Sequence, residues 1–147
     1  MDIKKFYLKT FREFGKHNSS YFNIPAGLMV LIAYLLPGIL SMININFSAF
    51  ASLILLIVAV FEKRSDMVKF YCLQFCFVSL AFNIFLTILT IIAMFIPIFS
   101  LIIGLFSIVI ATIMLITYFY SLYNAFKYRA WIMPWIGPFI MDKVLKI

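Results

Sequence analysis

The polar side chains in the long uncharged parts of this chain are amides, hydroxyls and thiols. Segments 17–61 and 70–126 contain no Asp, Glu, Lys or Arg, and the single histidine, His17, lies at the edge of the first. A hydroxyl nucleophile needs a base beside it, and a proton relay or metal site needs ionisable groups at the same depth. No stretch has the spacing of a phosphate-binding loop or a zinc site. The sequence therefore predicts no enzyme, no catalytic or metal-binding residue and no cofactor.

Asn83 is the most informative polar residue in these segments, and it has two interpretations. Ser79, Thr87 and Thr90 share its helical face at steps of three, four or seven residues. An amide in apolar surroundings is costly unless it is paired. We therefore expect Asn83 to bond to a hydroxyl or backbone carbonyl on a neighbouring helix. The alternative is that this face lines a polar path for a substrate.

The composition requires an apolar environment for most of the chain. Of 147 residues, 66% are hydrophobic and 12% are charged, whereas soluble domains average about 45–50% and about 25%. A helix needs about 20 apolar residues to cross a hydrocarbon core about 30 Å thick. The sequence therefore predicts an all-α integral membrane protein with four transmembrane helices in a compact bundle. An N-terminal amphipathic interfacial helix and a short interfacial C-terminal tail complete the predicted fold.

The predicted organisation has three parts. Residues 1–23 form a basic amphipathic interfacial helix (1–16) and a linker, residues 24–126 the four-helix domain, and residues 127–147 a basic-aromatic interfacial tail with a short helix at 141–147. The four spans cover about 24–43, 47–61, 67–95 and 98–125. Pro37-Gly38 is expected to kink the first span or end it early. The second span is short, whereas the third and fourth are long enough to tilt or to project beyond the hydrocarbon.

The orientation follows from the positions of the basic residues. All 12 Lys and Arg lie in residues 4–16, in a charged island at 62–69, or in the tail. Basic segments stay on the cytoplasmic side. Four spans then place both termini and the island in the cytoplasm, in the inner (cytoplasmic) membrane, with Asp66 as the N-cap of the third span. The charged residues of this cytoplasmic loop are Glu62, Lys63, Arg64, Asp66 and Lys69.

Small and polar residues recur at three- and four-residue spacing along each span. Because lipid gives no hydrophobic drive for helix association, such residues mark packed faces. On the fourth span this packing set includes Gly104, Ser107 and Ala111. Cys72 and Cys76 are interpreted as reduced packing residues. The predicted interfacial anchors of the tail are Lys127, Arg129, Trp131 and Trp135.

The net charge of +7 is interpreted as attraction to a bilayer that contains anionic lipids rather than to nucleic acid, because no folded surface remains to read a groove. The basic N-terminal helix would lie in the headgroup layer. Its alternative role is a docking site for a partner protein.

The start of the third span resembles a motif of a known family. In the stretch 68–74, Val68 and Gln74 match a family pattern of Val-Arg-x-His-Ala-x-Gln, with Lys69, Tyr71 and Cys72 at the substituted positions. Stretches 125–128 and 134–137 are similar to the basic-aromatic turn and proline-containing tail of the same proteins. The chain thus resembles the Tic-twenty-like family of small four-span membrane proteins, bacterial relatives of the chloroplast inner-envelope protein-import component. The resemblance implies four helices with both ends on one side.

Three functions remain open at this point. The first is a small non-enzymatic multi-pass subunit or accessory of a translocation or channel-like assembly, acting with copies of itself as a homo-oligomer or with a larger membrane-protein partner. The second is an immunity or resistance protein against a membrane-active peptide. The third is a lipid-handling membrane protein, which the lack of ionisable groups in the spans disfavours.

Overall fold

The computed structural model describes residues 11–43, 47–95, 99–134 and 136–144, and it is almost entirely helical. Two short strands flank four long helices, and a fifth, short helix follows the second strand. In chain order the elements are β1 (Phe11–Glu13), α1 (Ala26–Ile43), α2 (Phe47–Phe61), α3 (Asp66–Phe95), α4 (Phe99–Phe126), β2 (Arg129–Trp131) and α5 (Ile136–Val144).

The four predicted apolar segments correspond to α1–α4 as helices. The predicted range 47–61 is that of α2, and the ranges 67–95 and 98–125 lie close to those of α3 and α4. Helix α1 begins at Ala26 and continues through Pro37 to Ile43, so the proline does not end it. One proline removes one backbone donor, whereas ending the helix in apolar surroundings would expose many unpaired groups.

The prediction of a helix over residues 1–16 is wrong where the structure describes it, and residues 1–10 lie outside the described part. Residues 11–13 form β1, which pairs antiparallel with β2 in the register Phe11↔Trp131, Arg12↔Ala130 and Glu13↔Arg129. The Phe14 N–H extends the pairing to the Tyr128 carbonyl at 2.8 Å. Helix propensity is a weak preference, and here a strand edge more than a hundred positions away overrides it.

The interior between α1, α3 and α4 is aromatic. The ring of Tyr34 on α1 lies 4.5 Å from Phe75 on α3 and 5.3 Å from Tyr118 on α4, measured between centroids. The Tyr34 hydroxyl donates to the Tyr71 carbonyl at 3.2 Å. At the start of α1, a Cβ on Gly27 would lie 2.9 Å from the Ala125 carbonyl oxygen. Glycine at this position therefore allows α1 to pack closely against the end of α4.

The far halves of α3 and α4 contact each other along one narrow stripe and are otherwise exposed. The less exposed residues recur at alternating steps of three and four, the spacing at which two right-handed α-helices pack in a left-handed pair. Both helices are long and apolar enough to cross a membrane, and almost nothing in their most apolar windows is buried. The stripe residues are Ser79, Phe82, Leu86, Leu89 and Ala93 on α3, and Ile103, Ser107, Ile110, Met114 and Thr117 on α4.

The described part of the C-terminal tail is packed against the helices, while its position at a membrane interface stays a prediction. Ala130, Met133, Ile140 and Met141 are buried in or beside the core, and α5 packs against α3. The helix predicted for 141–147 is instead α5, Ile136–Val144. Ile140 and Met141 lie on the buried face of α5, and α3 supplies the surface that covers this face.

Candidate functional site

The segments outside α1–α4 gather at the end of these helices where α3 begins. We call residues 11–25, 62–65, 127–134 and 136–144 the polar cap. Glu62 is its centre, since this carboxylate joins the N-terminal segment to the turn between α2 and α3. Its Oε1 accepts the backbone N–H groups of Ser20, Arg64 and Ser65 at 2.8, 2.9 and 3.1 Å. Its Oε2 accepts the Ser19 hydroxyl.

Glu62 is only 1% exposed, yet it remains ionised. Burial opposes ionisation, but hydrogen bonds from Ser19, Ser20 and Arg64 outweigh it and lower the pKa of Glu62 to about 2. A carboxylate that accepts several N–H bonds keeps its charge even when water is excluded. Because its oxygens are already engaged and covered, Glu62 acts as a structural pin rather than as a base for an external substrate.

Ser65, rather than Asp66, caps α3, which corrects the predicted N-cap. The Ser65 hydroxyl oxygen accepts the Val68 N–H at 3.2 Å, the bond that defines an N-cap. Asp66 is the first helical residue and pairs with Lys69 at 3.6 Å. The loop cations Lys63 and Arg64 are exposed, as expected for a solvated turn.

Ser65 and His17 have the relative geometry of a nucleophile and a base. The Ser65 Oγ lies 2.7 Å from Nε2 of His17, while Nδ1 of His17 lies 2.6 Å from the Gly15 carbonyl. Catalysis would also need access for a substrate. Ser65 is fully buried, and its oxygen already caps the helix. The pair therefore joins the N-terminal segment to α3.

The two residues that match the family-like motif, Val68 and Gln74, are both buried on α3. The Gln74 amide donates from Nε2 to the Trp131 carbonyl at 3.1 Å and accepts the Met133 N–H on Oε1 at 3.2 Å. One turn earlier, the Tyr71 hydroxyl donates to the Arg129 carbonyl at 2.6 Å and accepts the Trp131 N–H at 3.1 Å. These two side chains thus supply hydrogen-bond partners to the edge of β2 that β1 leaves unpaired. We call Tyr71 and Gln74 the tail clamp.

Close packing holds α5 against this clamp. A Cβ on Gly137 would lie 2.6 Å from Cγ2 of Ile132 and 3.0 Å from Oε1 of Gln74. Any side chain at position 137 would therefore push into the residues that hold β2. Glycine is required here by the close approach of α5, as at Gly27.

Asn83 bonds within its own helix, and the hydroxyls of Thr87 and Thr90 do the same. The Asn83 amide donates to the Ser79 carbonyl at 2.8 Å, and the two threonine hydroxyls donate to carbonyls four residues earlier. The hydroxyl of Ser79 receives a bond from Ser52 on α2 at 3.0 Å. The hydroxyl contact between neighbouring helices is therefore made by Ser79 rather than by the threonines.

The three residues predicted to pack on α4 differ in their surroundings. Ser107 lies on the stripe that faces α3 and bonds to the Ile103 carbonyl at 2.8 Å. Ala111 and Gly104 are exposed, and a Cβ on Gly104 would meet nothing within 4 Å. Packing at these two positions stays a prediction that would require a second molecule.

The predicted tail anchors lie at the edge of the polar cap. The Lys127 ammonium lies 4.2 Å above the Tyr123 ring, and Arg129 forms a 3.0 Å ion pair with Glu13. Trp131 is half-buried, with its ring in an edge contact at 4.9 Å from Tyr120. Trp135 lies outside the described residues.

Sequence reasoning overlooked Glu62 as a buried centre and Tyr71 as a clamp. The signal for Glu62 in the sequence is an acid placed directly before the adjacent cations Lys63 and Arg64. Cys72 and Cys76 are free and buried, and within the described ranges no three His, Cys, Asp or Glu side chains are grouped to hold a metal ion. Comparison with protein-family models, curated proteins and solved structures finds no match for this chain.

Proposed function

We propose that this chain is a four-span integral membrane protein with the polar cap on the cytoplasmic side. In this proposal α1–α4 lie in lipid, and the chain is a non-enzymatic subunit of a translocation or channel-like assembly. The polar cap keeps the helix ends in register, and the exposed faces of α3 and α4 contact lipid and partner helices. The Tic-twenty-like resemblance agrees with this layout.

The exposure of α3 and α4 supports the membrane part of the proposal. A core helix of a soluble protein is buried, whereas the most apolar windows of these two helices are almost entirely uncovered. Exposed apolar surface of this extent needs an apolar solvent or a partner. The described parts of both chain ends lie at the same end of the helices as the island, the arrangement that four spans require.

The observation that favours an assembly is the set of small and polar residues left uncovered. Lipid contact does not require such residues, but close approach of another helix does. Thr87 and Thr90 on α3 and Gly104 and Ala111 on α4 are all exposed. The interior between α1, α3 and α4 is filled by aromatic rings. A polar path therefore belongs between subunits rather than within one chain.

Disulfide crosslinking in native membranes tests this proposal. In a Cys72→Ala, Cys76→Ala background, Ala111→Cys should crosslink into one discrete larger species on mild oxidation. Ile113→Cys is the matched control, because residues two apart point to different sides of a helix, and it should crosslink far less. Liposomes that contain the assembled protein should then pass ions or peptides. If neither variant crosslinks and the liposomes remain impermeable to ions and peptides, the proposal is contradicted.

A further inference from the structure

Residues 18–25 form a tight hairpin that ends in an exposed phenylalanine. The Ile24 N–H donates to the Tyr21 carbonyl at 3.2 Å, and the Ser19 N–H donates to the Ile24 carbonyl at 2.8 Å. Phe22 and Asn23, the two central residues, have φ angles of 52° and 57°. A four-residue turn with two consecutive positive φ angles is a type I′ turn.

Phe22 is an unfavourable choice for this position in an isolated chain. Type I′ turns favour Gly, which has no Cβ, and Asn, whose short polar side chain tolerates positive φ, whereas bulkier residues are strained there. The Phe22 side chain is 93% exposed, so packing within the chain does not offset the strain. Strained residues cluster at sites where function requires them. The exposed Phe22 ring is therefore a candidate for a contact outside the chain.

The hairpin is held firmly below its tip. The Tyr21 hydroxyl donates to the Val58 carbonyl at 3.2 Å, and the Tyr21 N–H donates to the Ser19 hydroxyl at 3.1 Å. Ser19 in turn donates to the buried carboxylate of Glu62. These bonds fix the direction in which Phe22 projects.

The same bonds give the depth of the tip relative to α2. From His17, just before the hairpin, towards the tip, successive residues contact successively earlier positions of the other segment: His17 contacts Ser65, Ser19 contacts Glu62, and Tyr21 contacts Val58 in α2. The hairpin thus rises along the last turn of α2. Because a helix rises 1.5 Å per residue, the level of Val58 lies about 4–5 Å inside the helix end.

The end of α2 is exposed and apolar, and the turn that follows it is basic. Val60 and Phe61 at the end of α2 are 67% and 64% exposed. After the buried Glu62 come Lys63 and Arg64, which are exposed, and the Lys63 N–H donates to the Ser20 hydroxyl at 3.2 Å. An exposed aromatic ring above a pair of cations matches the boundary between acyl chains and anionic headgroups.

We propose that hairpin 18–25 is a membrane-inserted finger, with Phe22 in the acyl–headgroup boundary of the cytoplasmic leaflet and Lys63 and Arg64 on the phosphates of anionic lipids. This proposal depends on the proposed insertion of α2 in the membrane. The inserted ring fixes the depth of the polar cap relative to the bilayer.

A tryptophan at position 22 tests this directly. Phe22→Trp, in a Trp131→Phe, Trp135→Phe background, is reconstituted in vesicles of phosphatidylcholine and phosphatidylglycerol that contain brominated acyl chains. Bromine near the carbonyl end should quench at least half of the tryptophan emission of this variant, and bromine near the chain end clearly less. Gly15→Trp is the control at an exposed position with nothing within 4 Å of its Cβ, and it should stay unquenched.

A further variant separates the outcomes. Ile108→Trp, exposed about a third of the way along α4, should be quenched by deep bromine. If Ile108→Trp is quenched but Phe22→Trp is not, the finger is refuted while membrane insertion stands; if neither variant is quenched, the proposed membrane protein is refuted as well.

Discussion

Replacing Glu62 with glutamine should destabilise the polar cap by about 3 kcal/mol. The carboxylate has a pKa of about 2 instead of the ordinary 4.5. Each unit of pKa corresponds to about 1.4 kcal/mol of preferential binding to the charged form. Glutamine keeps one acceptor oxygen but presents an NH₂ group where Glu62 accepts a hydrogen bond. A buried donor would then face another donor and remain unpaired.

The pH dependence of stability provides a second test of the same prediction. Because the folded-state pKa of Glu62 is lowered, its contribution is fully present above pH 4.5 and is lost as the pH falls towards 2. The free energy of unfolding of the parent chain should therefore decrease by about 3 kcal/mol over that interval. Glu62→Gln should lack this component and be weaker already at pH 7.

Thermal unfolding in detergent, followed by near-ultraviolet circular dichroism at several pH values, measures both effects. At pH 7, reaction of the buried thiols of Cys72 and Cys76 with a fluorescent maleimide gives an independent unfolding curve. Asp66→Asn is the control, because Asp66 is exposed and its 3.6 Å contact with Lys69 should contribute less than about 1 kcal/mol. Equal stability of Glu62→Gln and the parent chain at pH 7 would refute the pinning role.

Two more substitutions test the tail clamp by the same thermal assay. Gln74→Leu leaves two backbone groups at the end of β2 unpaired and should cost about 2–4 kcal/mol; an unchanged melting temperature would show that β2 does not need this amide. Gly137→Ala places a Cβ 2.6 Å from Ile132 and should cost about 1–3 kcal/mol. Its control, Gly15→Ala, meets nothing within 4 Å and should be as stable as the parent, so similar losses in both would contradict the packing.

The long helices could be predicted from the sequence because their signal is local. Charge-free apolar runs and the breaks between them place α1–α4 closely, and hydropathy alone decides this pattern. The segments of the polar cap depend on distant partners instead. Residues 11–13 have helical spacing, but they become β1 because the edge of β2 is available to them.

The hydrogen-bond partners within the candidate site are harder to predict from the sequence, because they too depend on residues that are distant in the chain. The type of a polar residue shows that it needs a partner but not which one, so the sequence does not reveal that the Asn83 amide donates to the Ser79 carbonyl on its own helix. The local sequence around Ser65 permits two N-caps, and only the helix start at Asp66 decides between them. Burial of Glu62 requires the hairpin to close over it.

Thiol labelling in intact cells tests the four-span topology most directly. Single cysteines at positions 44 and 98, at the uncharged breaks that the sequence predicts after the first span and before the fourth, should react with an impermeant maleimide added from outside. Cysteines at positions 63 and 127, in the Cys72→Ala, Cys76→Ala background, should react only after the membrane is permeabilised. Labelling of Lys63→Cys from outside, or failure of both Asn44→Cys and Ile98→Cys to react, would contradict four spans with a cytoplasmic polar cap.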